Sequence, residues 1–318
     1  MNRSLLFFLV LTALSSEIIY AQAPTPAKTY QNNPVGMQLF QVGYGLQSTN
    51  TTVDGAITLP DNSVNIKTDF GYLRYAVFFK LFNKLSGFQA VVPFVWIDAD
   101  VLGVNRKNSG LGDMTFIFGT AIIGGQPLTL RQILQTPKTL GLAWSLGITA
   151  PTGSYSTDKL LNPSSHRWQI KPELGLSIPV KKFDIEFNAA AKFFTENTES
   201  PSLLSITPSK SVTQKPFFSL TNHTLYNFNQ MFWISFDAAA RFGGETTKNG
   251  TAEGNSQSLF AIGGSAGLII PNIHHQFGVN YITKVAGNDY APEGSILNVT
   301  YSYVFGPKFD ETLRKIKK

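Results

Sequence analysis

Residues 138–179 read KTLGLAWSLGITAPTGSYSTDKLLNPSSHRWQIKPELGLSIP, and this stretch decides the fold. In its first half Leu140, Leu142, Trp144, Leu146 and Ile148 alternate with Gly141, Ala143, Ser145, Gly147 and Thr149. In its second half Trp168, Ile170, Pro172, Leu174, Leu176 and Ile178 alternate with Arg167, Gln169, Lys171, Glu173, Gly175 and Ser177. A period of two places successive side chains on opposite faces, so both halves read as strands with one apolar face and one small or polar face. A polar loop opened by Pro151-Thr152-Gly153 joins them.

Working outward, the same unit recurs. Strands are expected over 37–48, 70–81, 87–98, 112–124, 183–195, 216–226, 231–242, 256–270, 275–285 and 295–305, twelve with the opening pair. Several approach the roughly 9 to 11 residues that a tilted strand needs to cross a bilayer. Long polar connections are read at 49–69, 102–111, 150–166, 196–215, 243–255 and 286–294, and short ones at 82–86, 179–182, 227–230 and 271–274. Alternation of long and short connections along an even number of strands is the pattern of a bacterial outer-membrane barrel. Residues 125–137 break it, and Leu130, Ile133 and Leu134 there have helical spacing, so a short helix and an extended connection are both open. Pro93 cannot donate to a ladder and points to a bulge in the third strand.

The totals agree. The chain has 318 residues, 43% apolar and 14% charged, with a net charge of +6 and no cysteine. Mean hydropathy is balanced. A helical membrane protein would be markedly apolar, whereas a barrel wall is polar on one face of each strand. After the N-terminus no run of about eighteen apolar residues occurs, so spanning structure must be built from strands. Without cysteine, disulfides do not hold the fold together. Arg3, the apolar run Leu5–Leu14 and the small residues around Ala21-Gln22-Ala23 read as a cleaved secretory signal. The expected organisation is a signal peptide over 1–21, a periplasmic linker over 22–36, a transmembrane antiparallel β-barrel over 37–305 and a periplasmic tail over 306–318.

The polar faces name the lumen. Its acidic candidates are Asp113, Glu173, Asp184, Glu186, Glu196 and Asp237; its basic ones are Arg74, Lys80, Arg167, Lys171, Lys192, Arg241 and Lys284. One sign alone would indicate an ion-selective pore. A near balance indicates ion pairs bracing the wall, with solute contact as the second reading. With the turn at Lys181-Lys182, Val180 opposes Phe183 and Glu173 lies diagonal to Lys192, so a Glu173–Lys192 pair is expected. Tyr72, Phe78 and Phe194 on the same face either suit an aromatic solute or pack the lumen.

Signals for catalysis are sparse. The four histidines carry no metal-ligand spacing, and no zincin, nucleophile-elbow, phosphate-loop or dinucleotide motif occurs. His223 and Ser219 share strand parity and are the one candidate for a barrel lipid hydrolase. No catalytic residue, metal or cofactor is expected, and the scattered basic residues do not indicate nucleic acid.

Gly110-Leu-Gly-Asp113 opening a strand, Ala150-Pro-Thr-Gly-Ser-Tyr155 ending one, Arg167-Trp168 followed by Pro172, and Thr195-Glu-Asn197 closing the next hairpin resemble the outer-membrane family named for the meta-pathway of phenol degradation. The resemblance spans roughly residues 35 to 305. It implies an outer-membrane β-barrel, porin-like, that takes up aromatic or other hydrophobic small molecules. The expected partners are outer-membrane lipid, a small solute and the barrel-assembly machinery. A non-conducting structural or adhesive barrel is the alternative.

Overall fold

A computed structural model describes residues 25–49, 64–101, 104–159, 161–200, 211–229, 231–270 and 274–306. The signal region and the C-terminal tail beyond 306 lie outside the described residues. The strands are β1 (Gln38–Thr49), β2 (Val64–Leu81), β3 (Lys84–Val101), β4 (Val104–Leu111), β5 (Thr115–Ile123), β6 (Gly141–Thr149), β7 (Gln169–Val180), β8 (Phe183–Phe194), β9 (Val212–Gln214), β10 (Phe217–Asn227), β11 (Phe232–Gly243), β12 (Thr246–Lys248), β13 (Thr251–Ala252), β14 (Gln257–Ile270), β15 (His275–Gly287) and β16 (Gly294–Phe305). A helix, α1, spans Leu130–Gln135.

Every wall strand pairs antiparallel with its neighbour, and β1 pairs with both β2 and β16, which closes the sheet on itself. β4 and β5 both pair with β3 and share one wall position, so the barrel has twelve. Closure leaves no unpaired edge, the condition for strands in lipid. The outer face is apolar: Phe40, Val42, Tyr44 and Leu46 of β1 are exposed, while Leu39, Gln41 and Gln47 on the other face are buried. Outward aromatics cluster near the short-turn end, with Tyr226 and Phe228 rings 4.8 Å apart and Tyr303 and Phe305 5.8 Å apart, and again near the long-loop end at Phe218 and Phe242, 5.6 Å apart. Such girdles sit at the two faces of the bilayer. A closed wall, apolar outside and polar inside, places this protein in the bacterial outer membrane.

Four expectations about elements change. Residues 64–69, read as the end of a long connection, are the first residues of β2. Residues 104–111, read as loop, are a strand that pairs with β3 up to Val101↔Val104, so that connection is short. Asn105, Arg106 and Lys107 are exposed, because this hairpin runs past the lipid into water, where both faces of β4 are polar. The Phe82-Asn83 turn has two residues, both with positive φ (45° and 61°), the left-handed conformation that tight hairpins use. The irregularity tied to Pro93 falls on the facing strand, where Gly112-Asp113-Met114 interrupts β4 and β5 and Gly112 N–H donates to the Pro93 carbonyl at 3.0 Å.

Both ends of the lumen are narrowed. At the long-loop end Leu161 folds inward onto Ile66, Val95, Ile97 and Ala99. Beside it, β9, β12 and β13 form a small separate sheet within the long loops. At the short-turn end α1 packs Leu130 and Leu134 against Met37, Leu39, Ala76, Phe78, Leu85 and Val304 of the inner wall. Thr129 and Gln132 form a capping box at its start. The stretch 22–36, read as a periplasmic linker before the first strand, is described from 25 onward, where its residues bond to groups of the inner wall.

Candidate functional site

The lumen is organised around residues 25–36. Glu173 on β7 accepts the Tyr30 hydroxyl on Oε1 at 2.7 Å, and on Oε2 the Thr25 hydroxyl at 2.6 Å and the Lys171 ammonium at 2.8 Å. Glu186 on β8 accepts the Lys28 backbone N–H at 2.7 Å and the Gln31 amide at 2.8 Å. Asp184 accepts Lys138 at 2.6 Å, Asn227 at 2.8 Å and Gln31 at 3.2 Å. Lys28 is fully buried, donates to Asn227 at 2.8 Å and lies 4.9 Å over the Trp233 ring.

His223 on β10 closes the anchorage. Its Nδ1 meets Asp237 of β11 at 2.6 Å and its Nε2 meets the Thr25 carbonyl at 2.7 Å. Both nitrogens face oxygen acceptors, an arrangement that an imidazolium satisfies. Asp237 also accepts Ser235 at 2.7 Å and the hydroxyl of Ser265. The parity shared by His223 and Ser219 thus does not make a hydrolase pair: both imidazole nitrogens are engaged elsewhere, and Ser219 stands opposite Arg241.

The remaining candidates fall into other groups. Arg74 is fully buried and donates to Gln41 at 3.3 Å. Asp113 holds the inturned loop, accepting Ser164 at 2.7 Å, the Ser165 N–H and hydroxyl at 2.8 Å, and the Gly153 N–H at 3.0 Å. Arg167 donates to Gln214 at 2.5 Å and covers the Phe194 ring at 4.4 Å. Arg241 donates to Gln257 at 2.9 Å and covers Phe217 at 4.7 Å. Lys284 pairs with Glu293, and Lys192 lies half-buried in the same long-loop half. Lys80 is exposed at the end of β2, and Glu196 is exposed beside Ser211, which donates to it. Of the aromatic candidates, Tyr72 and Phe78 are buried and Phe194 half-buried.

The register is as expected, with Val180 facing Phe183 and Glu173 facing Ala190. Glu173 turns to Lys171, two residues along the same face, and to the inserted segment. Both signs occur at both heights of the lumen. Asp184, Glu186, Glu173 and Asp237 occupy the middle and short-turn half with Arg74 and Lys80, whereas Arg167, Lys171, Lys192, Arg241 and Lys284 lie toward the long loops with Asp113 and Glu196. The functional groups that sequence reasoning missed are those of the segment itself, Thr25, Lys28, Tyr30 and Gln31. They carry no periodic signal.

A chamber of about 830 Å³ opens between the segment, α1 and the wall of β3, β5 and β6. Phe78, Leu85, Ile117 and Leu134 are among its apolar lining, Tyr30, Ser145, Gln89 and Asn227 among its polar groups, and Lys138, Lys181, Lys182 and Asp184 line it too.

The family model described as "Putative MetA-pathway of phenol degradation" matches residues 47–301. The chain belongs to this family. Among solved structures, an outer-membrane channel from Pseudomonas putida is similar at 19% identity and a TM-score of 0.74, over 89% of this chain and 100% of that one. The β-domain of the Bordetella autotransporter BrkA is similar at 9% identity and a TM-score of 0.52, over 85% of this chain and 100% of that one. At these identities the likeness is one of fold. No curated protein matches the chain.

Proposed function

We propose that this family member is an outer-membrane channel for small molecules, hydrophobic or aromatic ones in particular. The observation that carries the reading is the chamber of about 830 Å³ inside a closed wall. Its volume is in the range of small-molecule sites, and its lining joins aliphatic and aromatic groups to hydroxyls and amides, with Lys138, Lys181, Lys182 and Asp184 also on its wall. Such a lining accepts a ring and orients one polar substituent. The similar structure from Pseudomonas putida, itself described as an outer-membrane channel, supports the same reading.

Uptake into proteoliposomes tests it. A 4-methylphenol or toluene flux above that of protein-free vesicles is the expected result, and equal flux removes the transport reading. The filled lumen favours one alternative, a barrel that does not conduct and works through its loops. Single-channel recording separates the two, because the alternative gives no current steps in the full-length protein.

A further inference from the structure

We propose that Gly175, Glu173 and Ser145 form a binding site for a hydroxyaromatic ring, filled in this state by the chain's own Tyr30. The site rests on geometry. A Cβ built at Gly175 would lie 2.0 Å from Cδ2 and 2.4 Å from Cε2 and Cγ of Tyr30, so the ring lies flat on the glycine backbone. At the ring's far end the hydroxyl donates to Glu173 Oε1 at 2.7 Å and meets Ser145 Oγ at 2.7 Å. Glu173 and Ser145 are both buried. The seat thus has a floor for an aromatic face and a paired station for one hydroxyl. A tyrosine side chain is 4-methylphenol on a tether, so the free phenol fits the same seat.

Two features distinguish this seat from ordinary packing. First, it belongs to the wall: Ser145 faces Glu173 and Ala143 faces Gly175 across the β6–β7 ladder, so it persists if the segment moves. Elsewhere on the wall, glycines take aromatic rings from their own strand neighbours: Gly43 faces Tyr72, Gly45 faces Phe70 and Gly267 faces Trp233. Those rings cannot leave without the strand, whereas Tyr30 arrives from a segment outside the ladder. Second, Tyr30 and Ser145 also line the chamber, so a solute there borders the seat that Tyr30 covers. A solute without a ring leaves the floor bare. One without a hydroxyl leaves the Glu173 carboxylate short of a donor, which is the costlier loss in a buried site.

The proposal rests on the channel reading only for the solute's route. The test is therefore binding to the purified full-length protein in detergent, measured by equilibrium dialysis against protein-free micelles. With Tyr30→Ala, 4-methylphenol is expected to bind saturably at one equivalent, and about tenfold or more tighter than toluene, because a site built around a hydroxyl rejects its absence. Wild-type protein is expected to bind it about tenfold or more weaker than Tyr30→Ala, since Tyr30 competes for the seat. Adding Gly175→Val to Tyr30→Ala, in protein that keeps the heat-modifiable gel mobility of a folded barrel, removes the saturable binding. Equal uptake by Tyr30→Ala and Tyr30→Ala/Gly175→Val, or equal binding of toluene and 4-methylphenol, overturns the site. Binding without vesicle flux keeps the site and removes the channel; flux without binding does the reverse.

Discussion

At the scale of single residues, the lumen is filled by matching absence with bulk. Gly43 and Gly45 have no side chain, and the rings of Tyr72 and Phe70 lie across them, each 2.0 Å from where a Cβ would stand. Gly43→Val leaves Tyr72 nowhere to go without moving a strand neighbour, and overpacking of this kind costs about 1–3 kcal/mol. We expect the urea unfolding midpoint in lipid vesicles to fall accordingly. Gly141→Ala meets nothing within 4 Å and serves as the control, with no such fall. The His223–Asp237 pair is the second residue-scale determinant. Both groups are buried, so His223→Leu strands a carboxylate, a change that costs about 3–5 kcal/mol, whereas replacing both by leucine removes the stranded charge and costs less. A double variant less stable than His223→Leu alone would show that Asp237 is satisfied by Ser235, Ser265 and Asn280 without its histidine partner.

Among the elements, α1 has six residues, too few to hold helical form in water by themselves. It is helical because Leu130 is buried against Phe78 and its neighbours. Leu130→Ala removes most of that contact, about 2–5 kcal/mol by the usual cost of a truncated core leucine. The barrel does not depend on it, since the wall is held by its own ladder. Limited proteolysis is thus expected to cut near 128–138 in Leu130→Ala while the barrel keeps its gel mobility; loss of both together would make α1 part of the barrel's cooperative unit. The elements also show what a sequence discloses. The wall strands were legible because a lipid-facing strand must alternate, and Gln38–Thr49 does so without interruption. Val104–Leu111 was not, because beyond the lipid neither face needs to be apolar and the strand reads as loop. The lumen segment was hidden for a different reason. Its partners Glu173, Glu186 and His223 stand more than a hundred positions away in sequence, on three strands. The faces of those strands announce only that polar groups point inward, without saying toward what. The register behind the Glu173–Lys192 expectation was legible, whereas the donors that reach Glu173 from residues 25–36 were not.

For the whole molecule, the hold of residues 25–36 on the lumen carboxylates has a consequence for conduction. Glu173, Glu186 and Asp184 are each met by donors from residues 25–36, and Asp237 is tied to the segment through His223. These carboxylates are therefore turned into hydrogen bonds with the chain itself rather than toward a water-filled path. Deleting residues 25–36 takes the donors away and leaves the acids around an open lumen, where water can solvate them and the wall ladder is untouched. Rings of carboxylates favour cations. The basic groups Arg167, Lys192 and Arg241 stay in the long-loop half, with Arg167 and Arg241 tied to Gln214 and Gln257. The deletion variant is thus expected to conduct more than the full chain and to shift toward cations, read as a change in reversal potential across a potassium chloride gradient in planar bilayers. A larger current with unchanged selectivity would mean that the segment blocks the path without covering the acids. No increase in current would place the constriction at the inturned loop held by Asp113, and Asp113→Ala, which releases Ser164 and Ser165, would then be the variant that opens it.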